Sequence, residues 1–98
     1  MRVLLTVELD TAMANAAIAD KTLAETMSST LAPVKPEAAY FGAKDGRRTG
    51  FIVFDLHEPS DIPSVVEPFM QKLGAKISII PVMNLDDVQE GLQKYAGG

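Results

Sequence analysis

The chain has no cysteine, a single histidine and no long apolar run. Without cysteine there is no disulfide scaffold, no thiolate-held zinc or iron–sulfur site and no thiol catalysis. One histidine, His57, excludes a multi-histidine metal site within one chain. The longest apolar stretch, around Ile77 and Ile79 to Met83, falls far short of the ~20 residues that span a bilayer. The short apolar run after Arg2 does not read as a signal peptide. Positive charge is scarce too: nine basic residues face thirteen acidic ones, for a net charge of −4. Residues 51–98 hold seven of the acids and three of the bases. The one basic cluster, Lys44, Arg47 and Arg48, surrounds an Asp-Gly turn and reads as a solvated hairpin tip. A polyanion binder needs a sustained basic face with stacking aromatics, so no nucleic-acid partner is expected. An acidic chain without a membrane segment is expected in the cytoplasm.

What remains is the balance of an ordinary globular domain, with 47% hydrophobic and 22% charged residues in 98. That length makes one domain, 1–98, able to bury roughly two-thirds of its unfolded surface. Arg2 to Asp10 is β-branched and apolar on both faces, which predicts a strand covered on both sides. Ala12 to Leu31 is alanine-rich without Gly or Pro and predicts one long helix, with Ala16, Ala19, Leu23, Met27 and Leu31 as its buried stripe. Pro33 and Pro36 stop it.

Ala38 to Ala43 and Arg48 to His57 read as a hairpin closed by Asp45-Gly46, whose two positions tolerate positive φ. The two-residue turn pairs residues whose numbers sum to 91, such as Tyr40 with Phe51. A second helix is predicted from about Ser60 to Leu73, with Pro68 kinking or shortening it and Gly74 ending it. Lys76 to Met83 predicts an edge strand, because Pro81 lacks an N–H. A short helix from Asn84 carries Leu85, Val88, Leu92 and Tyr95 on one face, and Ala96 to Gly98 should fray.

The order is β-α-β-β-α-β plus a C-terminal helix. A weak repeat at an offset of 47 overlays Leu5-Thr-Val-Glu-Leu9 on Ile52-Val-Phe-Asp-Leu56. Two such units imply an α+β, ferredoxin-like fold with a four-stranded antiparallel sheet of order 4-1-3-2. Right-handed crossovers put both long helices on one face. Val3, Leu5, Val7, Phe41, Ile52, Phe54 and Leu56 then face the helices. Leu4, Thr6, Ala38, Tyr40, Phe51 and Val53 face away, and that second face is too apolar for water. The short last helix cannot cover four strands, so a homodimer pairing two sheets is expected.

Arg2-Val-Leu-Leu-Thr-Val7, the Tyr40–Asp55 hairpin and Ile79-Ile-Pro-Val-Met83 with its following acidic helix resemble the dimeric α/β-barrel superfamily. The resemblance is closest to its small uncharacterised bacterial proteins. It covers nearly the whole chain as a pattern of elements, without a diagnostic catalytic motif. It implies two ferredoxin-like sheets packed face to face. Relatives of that kind include muconolactone isomerase-like enzymes, cofactor-free and haem-degrading monooxygenases, and effector-binding domains. Fold alone does not choose among them.

No phosphate-binding loop, nucleophile elbow or metal-ligand spacing occurs, so neither cofactor nor metal is expected. Glu8 and Asp55 occupy equivalent repeat positions. Strand register nevertheless sets them four to six residues apart, ~13–20 Å, too far for a carboxylate dyad within one chain. Strand alternation directs few polar groups onto the apolar face, and these are the candidate site. His57 would be the base or hydrogen-bond donor and Asp55 its orienter. Arg2, Thr6 and Tyr40 would be ligand contacts. The competing readings are a surface histidine, a half-packed tyrosine and an Arg2–Asp55 ion pair. Two functions follow from this surface. One is a cofactor-independent isomerase or monooxygenase acting on a small aromatic or apolar carbonyl compound. The other is a non-catalytic dimer that binds a small ligand or serves a structural role.

Overall fold

In the computed structural model, which describes residues 1–97, strand β1 (Arg2–Glu8) lies inside the sheet with a partner on each side. It pairs antiparallel with β3 (Arg47–Asp55) and with β4 (Lys76–Pro81), while β2 (Ala38–Lys44) pairs with β3. The order β2-β3-β1-β4 is the expected 4-1-3-2 read from the opposite edge. Asp45 at φ 54° and Gly46 at φ 77° form the two-residue hairpin turn. Tyr40 stands opposite Phe51 and Ala38 opposite Val53, the expected register. Pro81 sits on an edge strand, where its missing N–H costs no ladder bond to an outer neighbour. β4 ends there, two residues short of the expected Met83.

Helices α1 (Thr11–Ala19), α2 (Leu23–Leu31) and α3 (Ile62–Leu73) supply the rest of the core. Val3, Leu5, Val7, Ile52, Phe54 and Leu56 are buried against Ala14, Ala17, Val65, Val66, Phe69 and Leu73. Phe41 shares the helix side of the sheet but remains 57% exposed, because no helix lies over β2. α4 (Leu85–Gly97) buries no residue at all. Its presence stretches the chain to a radius of gyration of 15.7 Å, against about 12.6 Å for a compact domain of this length.

Three local readings need correction. The long helix expected over Ala12–Leu31 is two helices. Asp20 accepts hydrogen bonds from the Thr22 N–H and hydroxyl, and Lys21 takes a left-handed φ of 65°. A short polar side chain bonding to nearby backbone offers the chain an alternative to the helix. The break also rephases the buried stripe. α1 buries Ala14 and Ala17 rather than Ala16 and Ala19, whereas Leu23, Met27 and Leu31 of α2 do pack on the core.

Pro68 does not shorten the second helix, which runs unbroken to Leu73 after a 3-10 turn at Pro59–Asp61. Burial of Val65 and Val66 before the proline, and of Phe69 and Leu73 after it, offsets the lost hydrogen bond. The last helix continues to Gly97 rather than fraying from Ala96, while Gly98 lies outside the described residues. It starts on a reciprocal cap: Asn84 Oδ1 accepts from the Asp87 N–H at 2.8 Å, and Asp87 Oδ2 from the Asn84 N–H at 3.1 Å.

Gly74 ends α3 at φ 56°, and its N–H donates to the Met70 carbonyl. A Cβ there would lie 2.6 Å from Met13 Sδ and 3.0 Å from Asp10 Cβ, so α3 and the start of α1 meet across this glycine. Gly74→Ala therefore adds a clash to left-handed strain, and urea unfolding should show a loss of about 1–3 kcal/mol. Unchanged stability would mean that the two helix ends are not in contact.

Candidate functional site

The open face of the sheet is ordered in rows by its register. Ile80, Leu4, Val53 and Ala38 form one row across all four strands, entirely apolar. Ser78, Thr6, Phe51 and Tyr40 form the next. A charged row follows each: Arg2 beside Asp55 at one end, and Lys76 beside Glu8 at the other. Tyr40 is 73% exposed and Ile80 49%, so this apolar strip with charged borders meets solvent in the single chain. Thr6 and Tyr40 therefore lie on one row of one face, as strand alternation requires. They line no cavity in the single chain.

At the Arg2 end an open groove of about 660 Å³ is lined by Met1, Arg2, Glu37, Asp55, Pro81, Met83 and Asp87 among others. Arg2 and Asp55 are direct cross-strand neighbours here, but they do not form a simple ion pair. Arg2 Nε donates to Glu37 Oε1 at 2.8 Å, and its Nη1 lies 3.6 Å from Asp87 Oδ2. The Glu37 hydrogen bond, then its charge, raises the guanidinium pKa above its ordinary value. Asp55 Oδ1 instead accepts from the Met1 amino group at 2.6 Å. That hydrogen bond is the main reason its carboxyl is held below the ordinary carboxylate range. Desolvation opposes it, while the charges of the amino group, His57 and Arg2 assist.

His57 lies two residues beyond the end of β3, with its Nδ1 3.6 Å from Asp55 Oδ2. Its side chain is 79% exposed. It borders a separate depression of about 300 Å³ lined by Thr30, Pro33, Val34, Phe54 and Ser64, rather than the Arg2 groove. The five candidates are thus spread over three places: Arg2 and Asp55 in the groove, His57 beside another hollow, and Thr6 with Tyr40 on the sheet. The Glu8–Asp55 pair is six positions apart in register, since Glu8 stands opposite Thr49. That separation, ~20 Å along the strand, removes a dyad within one chain. Among the described residues no three His, Asp or Glu side chains are grouped closely enough to hold a metal ion.

The largest cavity lies on the other side of the sheet and was not anticipated from the sequence. It is an open, almost wholly apolar groove of about 740 Å³ between α2 and the hairpin, lined by Leu9, Leu23, Met27, Leu31, Phe41 and Arg48 among others. The signal for it lay in Gly50, which carries no side chain opposite Phe41 and so leaves the helix side of β2 unfilled. No helix of the described residues is long and apolar enough to cross a membrane.

The family model described as "Domain of unknown function (DUF3303)" matches residues 1–96, and the chain belongs to that family. No match is found among curated proteins. Among solved structures the chain is similar to the de novo designed protein Ferredog-Diesel, with 9% sequence identity and a TM-score of 0.50. The likeness covers 83% of this chain and 85% of that one. At that identity it concerns the fold alone, a small ferredoxin-like α+β arrangement.

The Asp55 contact predicts a pH dependence. A carboxyl whose pKa is depressed by folding contributes stability above its unfolded value of ~3.9, and loses it as pH falls through the folded value. NMR titration of the Asp55 carboxyl carbon should give a midpoint below ~3.9, and acetylation of the Met1 amino group should move it upward. A midpoint indifferent to acetylation would show that the hydrogen bond does not persist in solution.

Proposed function

We propose that this member of the DUF3303 family works as a homodimer that encloses a small apolar ligand between its two open sheet faces. The supporting observation is the row order of that face: apolar residues at the centre and charged rows at both ends. Interfaces between subunits have the same anatomy, with a desolvated apolar centre and a polar rim. Within the chain nothing else serves as a cover, because α4 buries no residue. The Thr6 and Tyr40 hydroxyls are the polar groups nearest the apolar row and would orient a carbonyl or hydroxyl of the ligand. Arg2 and Asp55 would stand at the mouth of the chamber.

A cofactor-independent isomerase or monooxygenase acting on an apolar carbonyl compound needs a base inside that chamber. The one observation in favour of this second reading is the Asp55–His57 pair, and its ring is mostly in solvent. Binding is therefore the better supported function.

In light scattering the wild type should have twice the 10.5 kDa chain mass. Val53→Arg would bury two unpaired cations near the dimer centre, weakening association by about 100-fold or more and giving monomer or aggregate. Native mass spectrometry of the purified dimer should show a retained small molecule, lost in the variant. A monomeric wild type would overturn the dimer, and a stable Val53→Arg dimer would overturn this interface.

A further inference from the structure

Two apolar surfaces of this chain lack a partner, and they complement each other. One is the helix-side groove between α2 and the β2–β3 hairpin. Leu23, Met27 and Leu31 form one wall and Phe41 the other. The floor stays open because Gly50 brings no side chain: a Cβ there would stand 3.1 Å from the Phe41 ring. Arg48 is fixed at the rim by its hydrogen bond to Asn15 at 2.9 Å. The second surface is α4. Leu85, Val88, Leu92 and Tyr95 recur at helical spacing on one stripe, with Leu92 60% and Tyr95 89% exposed. Exposed apolar side chains in such a row mark a docking face.

A chain cannot fill its own groove. α4 follows β4, which is separated from β2 by the whole width of the sheet, three strand spacings of ~4.8 Å. It also leaves from the wrong end. Pro81 stands opposite Val3, whereas the groove lies near Gly50, opposite Val7 and ~13 Å further along. The connection 82–84 reaches at most ~11 Å, and α1 and α3 occupy the same side of the sheet.

A second copy removes that obstacle, given the sheet pairing proposed above, on which this inference rests. A two-fold axis running along the strands lays the partner's β4 edge over the β2 edge. The partner's last helix then begins beside the strand it must cross. Thirteen residues of helix extend ~20 Å, enough to pass the β2 edge and reach the groove. Charge agrees as well. α4 carries Asp86, Asp87 and Glu90 against Lys94, while the hairpin beside the groove holds the chain's basic cluster of Lys44, Arg47 and Arg48.

We infer that α4 of one copy docks in the α2–hairpin groove of the second, laying its C-terminal apolar residues on Met27, Leu31 and Phe41. Each subunit thereby clasps the other around its β2 edge.

The absence of native cysteine makes this testable by unique cross-links. Ser28 is exposed on the groove lining, so Ser28→Cys leaves the core intact. Chains carrying Ser28→Cys are mixed with chains carrying Leu92→Cys, oxidised mildly and run on a non-reducing gel, with light scattering on the same sample. A disulfide requires Cα atoms within ~7 Å. Docking should give a heterodimeric cross-link at least about tenfold faster than the control mixture of Leu92→Cys with Ser64→Cys. A dimer by scattering with no preference for Ser28 would overturn the docking while leaving sheet pairing intact. So would a faster cross-link between Leu92→Cys and Val53→Cys, which places α4 on the open face. A monomer by scattering would overturn both.

Discussion

Every face of this molecule follows from the register of β1 between β3 and β4. Arg2 opposite Asp55 and Leu4 opposite Ile80 fix which side chains of three strands share a side. Because side chains alternate with a period of two, a slip of one residue in either pairing would turn Leu5 and Val7 to the open side and Leu4 and Thr6 into the helices. The fully buried Val3, Leu5 and Val7 make such a slip costly. Burying each of them is worth roughly 1.5–3 kcal/mol, so the core side pins the register. The composition of the open side is then a consequence of the same pinning.

The helices cover that sheet unevenly. α1 and α3 meet at Gly74 and hold down β1 and β3, while β2 extends beyond their reach. The hairpin therefore has an uncovered apolar side chain on each surface, Phe41 toward the helices and Tyr40 away from them. A residue such as Gly50 is needed at this point of β3, because the Phe41 ring lies over it and any Cβ would displace the ring. An aromatic side chain shielding a cross-strand glycine keeps the backbone there dry without a helix.

Elements and pairing were largely legible in the sequence because they depend on periodicity and turn chemistry. Asp45-Gly46 set the hairpin register, and the Leu5–Leu9 and Ile52–Leu56 repeat located the inner strands. The helix break at Asp20-Lys-Thr22 was not legible, since none of these residues is a helix breaker by propensity. Only the side-chain bonds of Asp20 end the helix. Of the site, the neighbourhood of Arg2 and Asp55 followed from register, but their partners did not. Glu37 and Asp87 come from a loop and from α4, whose placement no strand pattern determines. His57 escaped for a related reason: alternation ceases at Asp55, where β3 ends. The α2 groove was missed because it depends on how far a helix reaches sideways, which the sequence of the helix does not record.

The place of β1 in the sheet also bears on the time course of folding. β1 is made first, yet both its partners lie far downstream, with β3 beginning at Arg47 and β4 at Lys76. The hairpin can close locally, on the microsecond scale of such turns. β1 must wait for loops of about forty and seventy residues to close, which slows a chain relative to one built of neighbouring contacts. During synthesis, at ~5–20 residues per second, a strand apolar on both faces stays unpaired for several seconds. The nascent chain is thus most exposed to wrong partners before β4 emerges, and a holdase that shields Val3 to Val7 would act in that interval.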